Sequence, residues 1–213
     1  LLKALEDYNS DKSSAINIYG EINTWDTSLI SDMRNLFINY PTFNEDISNW
    51  NVSSVLDMGY MFYGCQLFNQ DLSSWNVENV TTMEYMFYDC ESYNNSINDW
   101  TTLSLKNTAS LFEDCKVFNQ PLNNWNLTSV TDINKMFDSC INFNQNLSNW
   151  NVGNVTNMLS TFRLNTNFNQ DISNWNVINV NDMKTMFDGC TNFNQSLNNW
   201  NVSNVRNMRR LFN

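Results

Sequence analysis

Every tryptophan in this 213-residue chain stands 25 residues from the next: Trp25, Trp50, Trp75, Trp100, Trp125, Trp150, Trp175 and Trp200. A fixed period of that length means one unit repeated along an array, and each unit must bury its apolar face against its neighbours. Phenylalanine keeps the same register. One column runs through Phe37, Phe62, Phe87, Phe112, Phe137, Phe162, Phe187 and Phe212. A second runs through Phe43, Phe68, Phe118, Phe143, Phe168 and Phe193, with Tyr93 in its gap. Cys65, Cys90, Cys115, Cys140 and Cys190 share a single position, held by Tyr40 and Asn165 in two other copies.

Within one unit the two halves have different spacings. Val80, Met83, Met86, Phe87 and Cys90 fall at i, i+3, i+6, i+7 and i+10, which predicts a short amphipathic helix, with Asn79 before it as a cap. Gly64 and Gly189, directly before their cysteines, mark its end. In the other half, Leu72, Trp75, Val77 and Val80 reproduce the spacing of a leucine-rich repeat, and Trp75 and Val77 would share one face of a short strand. The predicted fold is an α/β repeat solenoid. It is a leucine-rich-repeat-like curved array of about eight 25-residue coils. Short parallel strands would stack at about 4.8 Å on one side, with short helices on the other. Residues 1–20 read as an atypical N-terminal cap. Residues 21–213 read as one solenoid without a C-terminal cap, because the sequence stops partway through a predicted helix. The first residues carry neither a methionine nor a signal-peptide pattern, as in a portion of a longer chain.

Composition excludes several functions. A net charge of −11 disfavours nucleic acid, whose phosphates require a positive stripe. The absence of histidine removes the Ser-His-Asp triad and imidazole metal sites. No position collects an acid, a base and a nucleophile, so no catalytic, cofactor-binding or metal residues are expected. Five cysteines without a C-x-x-C pair fit neither a zinc site nor a disulfide framework, and their apolar face predicts buried, reduced thiols. Asp46, Asp71 and Asp171 share their column with Ser96, Pro121, Asn146 and Ser196, which breaks any calcium-binding carboxylate ladder. No apolar run reaches the length of about 20 residues needed to insert into a membrane.

Variation between copies separates stacking positions from free ones. Besides the tryptophans, Asn44, Asn69, Asn94, Asn119, Asn144, Asn169 and Asn194 never change and read as a structural ladder of amides. A candidate interaction surface follows each tryptophan: the amide row Asn51, Asn76, Asn126, Asn151, Asn176 and Asn201, with Glu78, Leu103, Thr128 and Ile178 from the variable row beside it. The repeat pattern breaks around Thr101–Thr108 and Thr161–Asn165. Arg206, Arg209 and Arg210 crowd the last unit, which implies end-to-end or assembly contacts with an acidic neighbour or a following segment.

The Phe-x-Gly-Cys-x-x-Phe segment from Phe62 to Phe68 and the Val-Thr-x-Met segments at Val80 and Val155 resemble the BspA-like leucine-rich-repeat proteins. The likeness is to their 25-residue branch, familiar from mycoplasma-type surface proteins, and it spans residues 25–213. It implies a non-enzymatic scaffold for protein or glycan partners, in interaction or adhesion, on a cell surface, in the extracellular space or on a virion. A structural part of a larger assembly, such as a viral capsid or coat, is the alternative. The chain departs from many relatives in carrying cysteine where they have alanine.

Overall fold

A computed structural model describes residues 1–38 and 40–213. Two short helices open the chain, α1 (Leu2–Ser10) and α2 (Lys12–Tyr19), followed by a 3₁₀ turn over Ile22–Thr24. Asp11 caps α2 by accepting from the Ser14 amide at 3.1 Å. The amphipathic face of α1 buries Leu5 and Tyr8, and the Tyr8 ring meets Trp25 edge-on at 5.8 Å.

From Trp25 onward the chain is a repeat solenoid, each coil stacked on the one before. The predicted helix over Val80–Cys90 does not form. Its spacing of about three residues describes a run of tight turns, closed by Met86, Tyr88 and Cys90 N–H groups on the carbonyls of Met83, Tyr85 and Phe87. The alternate amides leave the coil altogether: Met83, Tyr85, Phe87 and Asp89 donate at 2.9–3.0 Å to Asn107, Ala109, Leu111 and Glu113 of the next coil. Once those donors are used between coils, no i→i−4 ladder remains available.

Two residues per coil take left-handed backbone to turn the corner. One column, which includes Tyr60, Tyr85, Lys135 and Arg210, has φ between 52° and 58°. The other holds Asp89, Asp114, Ser139 and Leu164, with Gly64 and Gly189 at 72° and 76°. Those glycines thus mark a left-handed corner that the other copies occupy at a cost of about 1–2 kcal/mol each, and they do not end a helix.

The predicted strand is corrected as well. Trp75 and Val80 close turns onto Leu72 and Val77, and no pairing runs through Trp75–Val77. The parallel bridges lie in the other half of the coil, in an unbroken series from Asp32↔Asp57 to Asp182↔Asn207, with a further bridge Phe187↔Phe212. The segments expected to be helical therefore carry the ladder. Among the described residues none of these bridges extends into a regular strand.

The core is a set of continuous columns. The first phenylalanine column stacks at 5.3–5.8 Å between successive centroids. The stacked tryptophan pairs stand 6.2–6.5 Å apart. Each indole also donates: Trp50, Trp75, Trp100, Trp125, Trp150, Trp175 and Trp200 bond the carbonyl 28 residues earlier at 2.8–3.2 Å. A phenyl ring would fill much of that space and leave the carbonyl unpaired, which is why no copy replaces its tryptophan. The thiols repeat this device, from Cys65 onto Phe37 through Cys190 onto Phe162, at 2.6–3.3 Å. All five are free and buried, and burial pushes Cys65 and Cys190 up to about 12 and the other three well above the usual thiol value.

The invariant asparagines form a second seam. Each Oδ1 accepts the backbone N–H of the next asparagine at 2.9–3.0 Å, unbroken from Asn44 to Asn194. The amide of the following Gln or Asn adds a second donor at most junctions, as Gln145 does to Asn119 at 2.9 Å.

Two substitutions test this packing. Asn119→Ala strips the acceptor from Asn144 N–H and Gln145, and is expected to cost about 1–3 kcal/mol in thermal or urea unfolding; an unchanged melting temperature would contradict a supporting role for the seam. Tyr93 stands in a phenylalanine column, fully buried, with its hydroxyl unpaired. Tyr93→Phe is therefore expected to stabilise the fold by about 1–3 kcal/mol, measured in the same unfolding experiment.

Candidate interaction face

The bridged segment of each coil buries its apolar stacking residues, and its other columns reach solvent in some coils and are covered in others, as at Ser110, Glu113, Asp138, Ser160 and Thr185. In the third coil Met83, Met86, Phe87 and Cys90 are buried, whereas Thr82, Glu84, Tyr85, Tyr88 and Asp89 reach solvent. These columns vary between copies in both residue type and exposure. The column of Tyr60 and Tyr85 continues as Ser110, Lys135, Ser160, Thr185 and Arg210. That of Tyr63 and Tyr88 continues as Glu113, Asp138, Arg163 and Asp188. Nine of the 11 basic residues lie beyond the N-terminal helices; Arg34, Lys135, Arg163, Lys184, Arg209 and Arg210 fall within this segment, and Lys106, Lys116 and Arg206 directly flank it.

Ion pairs cross this face from coil to coil. Arg34 bridges Asp32 at 2.8 Å and Asp57 at 3.4 Å, and Lys116 pairs with Glu91. Lys135 reaches Glu113 at 2.9 Å, and Arg163 reaches Asp138 at 2.7 Å. The Asp138 carboxylate is wholly buried, while Arg163 is 38% exposed. Burial outweighs the guanidinium and lifts Asp138 to about 6.

The amide row has a different character. Asn51, Asn76, Asn126, Asn151, Asn176 and Asn201 each accept the N–H two residues on, at 2.9–3.3 Å, and Asp26 does the same for Ser28. Their side chains fix a turn. They and Glu78, Leu103 and Thr128 are exposed, with Ile178 half-buried, so the structure brings this row together as a second outward strip. Among the described residues no cluster of acidic or thiol side chains is disposed to hold a metal ion, and no helix is long and apolar enough to cross a membrane.

A family profile described as "Mycoplasma protein of unknown function, DUF285" matches residues 6–125 and 106–213. The chain belongs to this family. Membership agrees with the BspA-like repeat character of its 25-residue units, since the two matches together span nearly the whole DUF285 array. Comparison with curated proteins gave no match. Among solved structures the chain is similar to the leucine-rich repeat domain of APL1B, at 12% identity over 94% of this chain and 69% of that one. The TM-score of 0.33 is too low for that likeness to bear on the DUF285 fold.

Sequence reasoning missed the bridged face because it assigned those residues to the outside of a helix. A signal was present: lysine and arginine fall at only a few of the 25 repeat positions.

The Asp138–Arg163 pair makes a pH-dependent prediction. Asp138 has a folded value near 6, above the roughly 3.9 of an unfolded aspartate, so the folded state holds the extra proton between pH 4 and 6. Its contribution to stability is present below pH 4 and lost as pH rises through 6. Arg163→Gln leaves a buried carboxylate unpaired at pH 7 and is expected to destabilise the fold by about 1–3 kcal/mol there. The deficit should be much smaller at pH 5, and urea unfolding of both proteins at the two pH values compares them.

Proposed function

We propose that this DUF285 chain is a non-enzymatic interaction scaffold that holds a protein partner across its bridged face, on a cell or particle exterior. Residues 1–20 act as its N-terminal cap, and the solenoid supplies the rigid platform. The observation that carries this reading is the division of labour between faces. The amide row is nearly constant because each amide holds a turn, whereas the bridged face concentrates the tyrosines and cations that differ from copy to copy. Variable side chains on a fixed backbone are how repeat proteins recognise partners, and tyrosine and arginine are the residues interfaces favour.

Direct backbone pairing sets the same face apart. Backbone bonds backbone directly between coils there, while an amide or indole side chain intervenes at the other seams. Stacked tyrosines on this face stand 4.4–4.7 Å apart, against 6.2–6.5 Å for the tryptophans.

The test is to pan a random peptide library and a glycan array on the immobilised protein. Two triple variants serve as competitors, Tyr85→Ser/Lys184→Ser/Arg209→Ser on the bridged face and Asn76→Ser/Asn126→Ser/Asn176→Ser in the amide row. Enriched peptides should bind the first variant about tenfold more weakly, or 1.4 kcal/mol, and the second unchanged. Glycan capture without peptide capture, loss confined to the amide-row variant, or no enrichment overturns the proposal.

A further inference from the structure

Four tyrosines occupy one corner of the bridged face as a two-by-two array. Tyr60 stacks on Tyr85 at 4.7 Å and Tyr63 on Tyr88 at 4.4 Å, and the two columns stand 5.8 Å apart. Because the rings stack along the array, their faces are turned to one another, and their edges, with the hydroxyls, point sideways out of the coils. All four side chains are half-buried. Among the described residues none of the four hydroxyls bonds a carboxylate, an amide or the backbone, and Tyr88 meets only the neighbouring Tyr63, whereas Tyr8 and Tyr19 elsewhere bond Glu45 and Asp7.

The surroundings are acidic. From Asn35 to Leu105 the sequence contains no lysine or arginine, and Asp57, Glu84, Asp89 and Asp114 lie on the same and adjoining coils. Burial and Glu84 raise Tyr60, and burial with Tyr63, Glu113 and Asp114 lifts Tyr88 to about 12, so both stay neutral hydroxyls at any physiological pH. The cations at the edges of the patch, Arg34, Lys116 and Lys135, are engaged with Asp32 and Asp57, Glu91, and Glu113, and Glu84, Asp89 and Asp114 have no ion-pair partner among the described residues. A patch with several hydroxyl oxygens and such a carboxylate rim is complementary to a ligand that donates hydrogen bonds and carries positive charge. A guanidinium fits better than an ammonium, since its planar fork of five donors can engage a hydroxyl and a carboxylate at once.

Resting on the bridged-face reading above, we propose that the tyrosine array of Tyr60, Tyr63, Tyr85 and Tyr88, rimmed by Glu84 and Asp89, is a docking site for an arginine-bearing peptide segment. The basic coils farther along, around Lys184 and Arg209, lie outside this site, so the partner's cationic stretch is placed at the N-terminal half of the array.

The test is titration of the whole chain with a capped hexa-arginine peptide and with hexa-lysine, by calorimetry. Hexa-arginine is expected to bind more tightly than hexa-lysine at equal charge. Tyr63→Phe/Tyr88→Phe, which keeps the stacking and removes two hydroxyls, should weaken it about tenfold, and Glu84→Gln/Asp89→Asn should do the same. Asp46→Asn/Asp71→Asn removes two carboxylates from turns that bear no tyrosine and should leave affinity within about twofold. Equal affinity for the two peptides, no loss in the Tyr→Phe pair, or an equal loss in the Asp46/Asp71 control would reduce the effect to attraction by net charge and overturn the proposal. That failure is separable from failure of the scaffold reading, because library peptides of other chemistry would still depend on the bridged face.

Discussion

The structure depends on coils of equal length, so that a donor in one coil always meets the same acceptor in the coil before it. The tryptophan N–H reaches the carbonyl 28 residues back in seven successive coils, and the thiols reach back by the same 28 residues. The asparagine amide meets its neighbour at a separation of 25 residues. An inserted residue would slip every one of these contacts past its partner at once and leave buried polar groups unpaired, which costs more than the loss of any single bond. This explains why the repeat holds its length through all eight tryptophans even where individual side chains change.

The asparagine load has the same cause. A chain made of tight turns leaves many carbonyls and amides outside any helix or sheet, and short amide side chains are suited to reaching them. Asn44 and its equivalents bond the next coil, Asn51 and its equivalents hold a local turn, and Asn79, Asn154, Asn179 and Asn204 bond a carbonyl 26 residues back. Once structure has claimed these columns, the bridged face is what remains free to vary. Its charged pairs, Lys135 with Glu113 and Arg163 with Asp138, join adjacent coils without fixing the backbone, so different copies can carry different chemistry on one frame.

The break at Thr161–Asn165 shows how the frame absorbs change. Thr161, in a column otherwise held by methionine, leucine or the like, bonds the Ile133 carbonyl 28 residues back at 3.2 Å. Asn165 replaces a cysteine and, with its amide nitrogen turned inward, donates to the carbonyls of Cys140 and Phe143 at 2.9 and 3.0 Å. The residue types differ, yet both side chains still donate to carbonyls of the preceding coil, Asn165 to a pair other than the carbonyl a thiol would reach.

Sequence alone determined the period, the stacked aromatic columns, the buried thiols' position on an apolar face and the membership of a repeat family, because each is a statement about which residues recur at a spacing of 25. The local conformation escaped it. Apolar residues at i, i+3, i+6 and i+7 satisfy a helix and a chain of turns equally, and the choice rests on whether the Met83, Tyr85, Phe87 and Asp89 amides bond within their coil or across to the next. Only stacking decides that, by placing a row of carbonyls within 3 Å of those donors. The same decision turned the predicted back of the array into its bridged face and drew Tyr60, Tyr63, Tyr85 and Tyr88 into one patch, since residues 25 apart become neighbours only when the coils close on one another.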